Sequence, residues 1–298
     1  MTSTPLPTTP GRLFVFGLGY SALALAELLR PLGWAVAGTT RGPDKAAALR
    51  ARGIEPFLFD RGRPLDNPGK ALAGTTALLA TVPPDGQGDP VLDEHGADIA
   101  GLSDLTWAGY LSTTGVYGDT GGAWVDETSP LNPVGERGRR RVEAERGWLD
   151  LLNRHGTPVH LFRLPGIYGP GRSAIDNLRS GTARRIDKPG QVFSRIHVED
   201  IAATLAASIA RPDPGAAYNV CDDAPAPSPD VIAHAAALLG VEPPPLQPFD
   251  PAALSPMAAS FYAENKRVRN DRIKRELGVV LRYPTYREGL AAQLAAGG

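Results

Sequence analysis

The chain has 298 residues, 42% hydrophobic and 21% charged, which suits one large globular α/β domain with room for a smaller lobe. Lys and Arg number 31 against 32 Asp and Glu, so a net charge of -1 gives nothing that attracts nucleic acid or an anionic membrane globally. A single cysteine, Cys221, excludes an intrachain disulfide and a Cys-based zinc cluster, and no apolar run reaches the roughly 18 residues of a membrane helix.

The start, MTSTPLPTTPGR, lacks the basic and apolar segments of a signal peptide. Its Thr, Ser and Pro content predicts a disordered arm over 1–10. Together with the lone cysteine, this points to a cytoplasmic protein.

Leu13 to Phe16 reads as a buried strand, followed at once by Gly17-Leu18-Gly19-Tyr20-Ser21-Ala22 and an Ala/Leu helix from Ser21 to Leu29. Trp34 to Gly38 is a second strand. GxGxxA between a strand and a helix is the dinucleotide fingerprint. Gly17 permits the tight turn, Gly19 lets a pyrophosphate approach the backbone, and Ala22 lets helix and strand pack. Phosphates would sit on the N–H groups opened by Tyr20 and Ser21. The bland alternative is a tight turn that binds nothing.

The second strand ends Thr39-Thr40-Arg41. An NAD site usually carries an acid there. Arg41, with Lys45 nearby, suits a 2′-phosphate instead, so NADP(H) is favoured over NAD(H). Otherwise both are solvated helix-start charges. Ile54 to Phe59 is a third strand ending at Asp60, which is either a partner for the adenine amino group or a turn residue. Ala77 to Val82 is a fourth, and Thr81, Val82 and Pro83 should line the cofactor crevice.

Thr106 to Thr113 is the fifth strand. From STTGVYG here, RLPGIYGPGR (163–172), RIHVEDIA (195–202) and YNVCDD (218–223), the chain resembles the extended short-chain dehydrogenase/reductase superfamily, in its atypical epimerase/dehydratase branch. The resemblance covers nearly the whole chain. It implies a Rossmann-type, doubly wound, mostly parallel sheet with a smaller C-terminal substrate lobe. The NAD(P)-binding domain would span 11–165 plus 195–222, and the lobe 166–194 plus 223–298.

The resemblance also implies site residues. Thr113 would hold the substrate oxygen. Aligning Pro133, Gly138 and Glu145 with the family spacing puts Arg137 at the tyrosine of its Tyr-x-x-x-Lys motif and Arg141 at the lysine. Arginine stays protonated and cannot shuttle a proton. Three readings follow: Tyr117 or Tyr168 is the acid; Arg137 acts electrostatically, on an oxyanion or an acidic substrate; or catalysis is lost and cofactor binding remains. Arg141 would still donate to a cofactor ribose hydroxyl. For Arg139 and Arg140 the plain reading is a solvated helix face, with Arg141 and Glu145 as an i,i+4 ion pair. Pro165 and Gly166 would pack beside the nicotinamide. The family's nucleotide-sugar enzymes often have Asn at the position of Gly166, which counts against a nucleotide-sugar substrate.

The helix leaving the site runs from Gly138 to Arg154, and Val159 to Leu164 is the sixth strand. Asp200 reads as the N-cap of a helix over Ile201 to Ile209, and His197 as a loop-orienting residue. His155 and His160 have no ligand partners, so no metal is expected. Cys221, on a short strand, reads as packing. Ser228 with Pro229 marks a helix start that runs to Leu239. The stretch from Glu242 to Pro256 should be irregular or extended. Helices follow at Asn270-Asp271 and from Tyr286 to Leu294.

The expectation is therefore an NAD(P)-dependent oxidoreductase, epimerase or dehydratase with an atypical proton-transfer site. Its substrate would be a small hydroxyl or carbonyl compound, anionic if Arg137 binds it. The alternative is a non-catalytic NADP(H)-binding protein that senses redox state or regulates a partner. RNA binding on the arginine helix is disfavoured, because no aromatics interleave with the arginines. A homodimer through the helices after strands four and five is what the family would imply.

Overall fold

A computed structural model describes residues 3–297. The first strand, β1 (Arg12–Phe16), carries four consecutive buried apolar residues, the pattern of a strand covered on both faces. It is followed by α1 (Tyr20–Leu29), β2 (Ala35–Thr40), α2 (Pro43–Ala51), β3 (Glu55–Leu58), α3 (Pro68–Leu72), β4 (Ala77–Ala80), α4 (Pro90–Ala100) and β5 (Trp107–Thr113). A short β6 (Trp124–Val125) precedes the long α5 (Glu136–His155). Then come β7 (Val159–Leu164), β8 (Gly166–Tyr168), α6 (Ala174–Arg179), β9 (Arg185–Asp187), β10 (Arg195–His197), α7 (Val198–Ala210) and β11 (Ala217–Asn219). The chain closes with α8 (Ser228–Leu239), β12 (Leu246–Pro248), α9 (Pro256–Tyr262), β13 (Arg267–Val268), α10 (Asp271–Glu276) and α11 (Tyr286–Ala295).

Seven strands pair in the order β11-β7-β5-β4-β1-β2-β3, and every ladder is parallel. Strand order reverses between β1 and β4, which makes the crevice above their carboxyl ends the topological switch point. This is the doubly wound Rossmann-type sheet that the sequence predicts. Each face has its own core. Leu13 and Val15 of β1 point to the side where α1 and α7 pack through Leu25, Ile201 and Leu205. Phe14 and Phe16 point to the other side, against Leu72, Val91, Ile99 and Trp148. Alternation along one strand therefore serves two layers of helices at once.

The smaller lobe gathers α6, α8 and α11 around Ile175, Ala235, Tyr286 and Leu290. Within the proline-rich stretch, β12 pairs in parallel with β9, and a 3-10 turn follows at Pro251–Ala253. β13 pairs with β6 and so ties the C-terminal segment to the loop after β5.

Several local expectations shift. α7 begins at Val198, three residues early, and its N-cap is His197, whose Nδ1 accepts from the Glu199 N–H at 3.2 Å. Asp200 instead accepts from the backbone N–H groups of Arg282 and Tyr283, at 2.7 and 3.1 Å. Ser228 is the first residue of α8 rather than its cap. Of the arm expected over 1–10, residues 1 and 2 lie outside the described part. Residues 3–10 form no helix or strand, yet the Thr4 hydroxyl donates to Val280 O and accepts from Val280 N–H, so this stretch is tied down rather than free.

Candidate functional site

The turn after β1 needs glycine at Gly17. Gly17 has φ +91°, and a Cβ there would meet the Thr81 hydroxyl at 2.7 Å. The Gly17 N–H donates to the Thr39 hydroxyl at 2.8 Å, and the Thr81 hydroxyl donates to Gly17 O at 2.5 Å. The turn is thus clamped between the ends of β2 and β4. At Gly19, by contrast, a Cβ would meet only Gly17 O, at 3.8 Å. Gly19 caps α1 without any side-chain bond, so the first-turn N–H groups have no capping acceptor. An open backbone face over an uncapped helix start fits a dinucleotide pyrophosphate.

A cleft of roughly 620 Å3 runs from this turn across the ends of β4, β5 and β7. Of the residues expected to hold cofactor, Gly19, Tyr20, Ser21, Thr81, Arg141, Pro165 and Gly166 line it. Gly17 lies behind Thr81 and Val82 in the turn itself. Thr40, Arg41, Asp60, Val82 and Pro83 lie outside the cleft proper, toward the β2–β3 side or beyond β4. Arg41 is exposed, and its side chain has no partner among the described residues. Asp60 behaves as a turn residue: its carboxylate accepts from the Gly62 N–H at 3.1 Å and pairs with Arg63 at 3.1 Å. Tyr20 reaches across the cleft and donates to Pro170 O at 3.0 Å.

The stretch after β5 divides sharply. Thr113 lines the cleft, and its hydroxyl oxygen accepts from the Gly115 N–H at 3.1 Å, leaving its own proton free to donate. Tyr117 does not join it. Its ring is buried beneath the loop, where its hydroxyl donates to Asn219 Oδ1 at 2.8 Å and accepts from Arg163 Nη1 at 2.9 Å. Burial pushes the phenol up to about 12, with the Arg163 charge only partly opposing this. Tyr168 also faces away, bonded to Thr285 O at 3.3 Å, and burial raises it further. Neither tyrosine reaches the cleft.

The start of α5 enters the cleft because Gly138 allows it. A Cβ at Gly138 would meet Pro133 Cβ at 2.7 Å and Gly115 O at 2.9 Å. Close approach there brings Arg137 and Arg141 to the wall. Arg141 donates to Leu111 O at 2.6 Å and to the Tyr110 hydroxyl at 3.2 Å. The expected Arg141–Glu145 pair does not form. Glu145 turns inward to Arg163 at 2.8 Å, with both side chains buried, and accepts from the Ser112 hydroxyl at 2.5 Å. Arg139 and Arg140 share Glu136 at the solvent face, as the charge run suggests. Arg137 makes neither a hydrogen bond nor an ion pair among the described residues, and its guanidinium stacks over Phe261 at 5.3 Å. Partial desolvation and the neighbouring Arg141 charge lower its pKa, while Glu264 opposes this.

The opposite wall was not foreseen from the sequence. Phe261 comes from the last turn of α9, and Glu264 and Lys266 from the segment between α9 and β13. Lys266 is buried and donates to Glu264 Oε2 at 2.5 Å and to Gly118 O at 2.8 Å. The point where a Cβ on Gly115 would sit lies 3.5 Å from the Thr113 hydroxyl and 3.9 Å from Glu264 Oε2, so the two face one pocket. Arg172, in the loop after β8, also lines the cleft, near the Tyr20 ring. The one signal available was a charged run, AENKRVRN, directly after an irregular proline-rich segment.

No family model matches the chain. Protein YeeZ of Escherichia coli K12 is 31% identical over 283 residues, covering 92% of this chain and 96% of that protein. A 3-diazoavenalumate denitrifying reductase of a Streptomyces species is 27% identical over 237 residues, 75% of this chain and 65% of its own length. Among solved structures, a conserved protein of unknown function from Silicibacter pomeroyi is 57% identical, with a TM-score of 0.89 over 96% of this chain and 99% of that one. A candidate NAD-dependent epimerase/dehydratase from Methylobacillus flagellatus is 26% identical, with a TM-score of 0.68 over 96% and 98% of the two chains. At 15% identity and a TM-score of 0.74, UDP-glucuronic acid 4-epimerase from Bacillus cereus in complex with NAD shares the fold over 95% of this chain and 97% of its own. The chain belongs to the family of protein YeeZ, and its structural neighbours are NAD-dependent epimerase/dehydratase-type proteins of the short-chain dehydrogenase/reductase superfamily.

Proposed function

We propose that this protein is a nicotinamide-dependent oxidoreductase acting on a small carbonyl or hydroxyl compound. The observation that carries this reading is one cleft shared by an uncapped glycine turn and a hydroxyl–lysine–carboxylate group. The turn fits a dinucleotide, since Gly19 leaves open space and α1 offers free N–H groups. When bound, that cofactor supplies the hydride chemistry. Arg141, Pro165 and Gly166 line the same cleft, where Arg141 would donate to a ribose hydroxyl and the other two would pack beside the nicotinamide. Arg41, exposed and without a side-chain partner, favours a 2′-phosphate and hence NADP(H).

The proton is the unusual part. Arg137 cannot carry it, and both tyrosines are buried elsewhere. Thr113 donates its free proton to hold the substrate oxygen. The Lys266 ammonium, held by Glu264 and Gly118 O, has one N–H left for the cleft. In the reducing direction Lys266 gives a proton to the substrate oxygen, and in the oxidising direction it takes one back. The name of the Streptomyces relative, a reductase, agrees with the reducing direction.

The test is titration with NADPH and NADH, followed by a panel of small aldehydes and ketones. Lys266→Met and Glu264→Gln should keep nucleotide affinity and lose turnover. Unchanged turnover in Lys266→Met removes the lysine from the mechanism. A second reading, an NADP(H)-binding regulator without catalysis, draws on the burial of both tyrosines. It requires NADP and NADPH to bind with different affinities, because equal affinity leaves no basis for sensing.

A further inference from the structure

Three of the four clustered arginines at the start of α5 have partners. Arg139 and Arg140 use Glu136, and Arg141 uses Leu111 O. Arg137 has none among the described residues. Its guanidinium carbon lies 5.3 Å from the centre of the Phe261 ring, which is itself 49% exposed. A guanidinium stacked on a ring keeps its edge N–H groups in plane and free. That fork matches the two oxygens of a carboxylate. Val134, Val192 and Phe193 add apolar side chains to the lining of the same cleft. The lining carries three arginines and one lysine against a single carboxylate, Glu264, which is already bonded to Lys266. The cleft therefore has positive charge to spare.

We propose that Arg137 and Phe261 form the anchor for the substrate, and that the substrate is a flat aromatic or conjugated carboxylate. Its carboxylate sits on the edge of Arg137 and its ring lies against Phe261. The far end of the molecule then points toward Thr113 and Lys266. The anchor adds the substrate class to the oxidoreductase reading, and it rests on that reading only for what happens at the far end. Arg137 thus stands as a specificity-determining residue with no part in proton transfer. Substituting Lys should restore it only in part, because a point charge lacks the fork.

The experiment is calorimetric titration of the full chain with cinnamate, cinnamamide and hexanoate, with NADP titrated separately. Cinnamate should bind about tenfold more tightly than the neutral amide, and Arg137→Gln should erase that difference. Cinnamate should also exceed hexanoate by about fivefold, a margin lost in Phe261→Ala. Arg137→Lys, which keeps the charge, should recover only part of the affinity, and circular dichroism checks that each variant folds. No cinnamate binding, or equal binding to Arg137→Gln, overturns the anchor. Equal affinity for hexanoate and cinnamate overturns the aromatic class. Failure to bind NADP while cinnamate still depends on Arg137 sinks the oxidoreductase reading and leaves the anchor standing. NADP binding with indifference to cinnamate does the reverse.

Discussion

The hydroxyl of Tyr117 accepts a hydrogen bond from Arg163 Nη1 at 2.9 Å, inside the core and away from the cleft that Thr113 lines. The same hydroxyl donates to Asn219 Oδ1, so both of its roles are taken. A phenol so placed stabilises the loop after β5 and has no route to a substrate. Tyr117→Phe should leave nucleotide affinity and turnover within about twofold of the parent. Its cost should appear in stability, about 1–3 kcal/mol by urea unfolding, because Arg163 and Asn219 are left short of a partner. A large loss of turnover in a folded Tyr117→Phe protein would return the tyrosine to the mechanism.

The Glu145–Arg163 pair continues this buried network. Both side chains are nearly inaccessible, and each has further bonds, Glu145 from Ser112 and Arg163 to Tyr117. Removing one charge leaves the other buried and unpaired. Glu145→Gln and Arg163→Gln should each destabilise by about 3–5 kcal/mol. The double substitution should cost clearly less than the two single costs together, and a double-mutant cycle reads the difference. Strict additivity would mean that the two groups do not act as a pair.

Arg41 tests the cofactor preference. Its side chain is free at the end of β2, and Arg63 donates to its carbonyl from the neighbouring turn. Arg41→Ala should weaken NADPH binding about 10–100-fold, the range of one or two lost charge-assisted bonds, and leave NADH nearly unchanged. Titrating both nucleotides against the parent and the variant gives the ratio. An equal effect on both would place Arg41 outside the phosphate site.

The sheet was legible in the sequence because its strands are buried on both faces and read as continuous apolar runs. Leu13 to Phe16 and Ala77 to Ala80 are examples. The glycine turn was legible because Gly17 needs a positive φ that few residues accept. Side-chain direction after β5 was not. Thr113 and Tyr117 are four residues apart, but an intervening 3-10 turn over Thr114–Tyr117 sends one to the cleft and the other to the core. Spacing on α5 suggested an Arg141–Glu145 pair, yet burial of Arg163 on β7 claimed the carboxylate. Glu264 and Lys266 were invisible for a related reason. They reach the site through the β6–β13 pairing, a contact between segments about 140 residues apart in the chain, and through bonds from Asn265 to the loop after β5.

His160 gives the pH prediction. It is fully buried on β7, stacked on Trp107, with Nε2 accepting from the Asp213 N–H at 2.9 Å and Nδ1 facing Ala108 O at 3.3 Å. That arrangement needs the neutral ring, and burial pushes its pKa down to about 4. The unfolded chain titrates near 6.5. Between about pH 6.5 and 4 the unfolded state therefore binds the extra proton, and stability falls as pH drops. The full effect is roughly 3 kcal/mol by the usual conversion. Asp222, pushed up to about 7 by burial, acts in the opposite sense: the folded state keeps a proton that the unfolded state loses, so its contribution falls as pH rises from about 4 to 7. His197, pushed down to about 4, acts with His160, and Asp200, pushed up to about 6, acts with Asp222, so effects of both signs combine in the parent protein. His160→Gln removes one of them. The stability margin of the parent over His160→Gln, measured by urea unfolding at intervals from pH 7.5 to 4.5, should shrink by about 1.4 kcal/mol per pH unit below 6.5. A margin that stays constant with pH would mean that the buried ring is not held neutral.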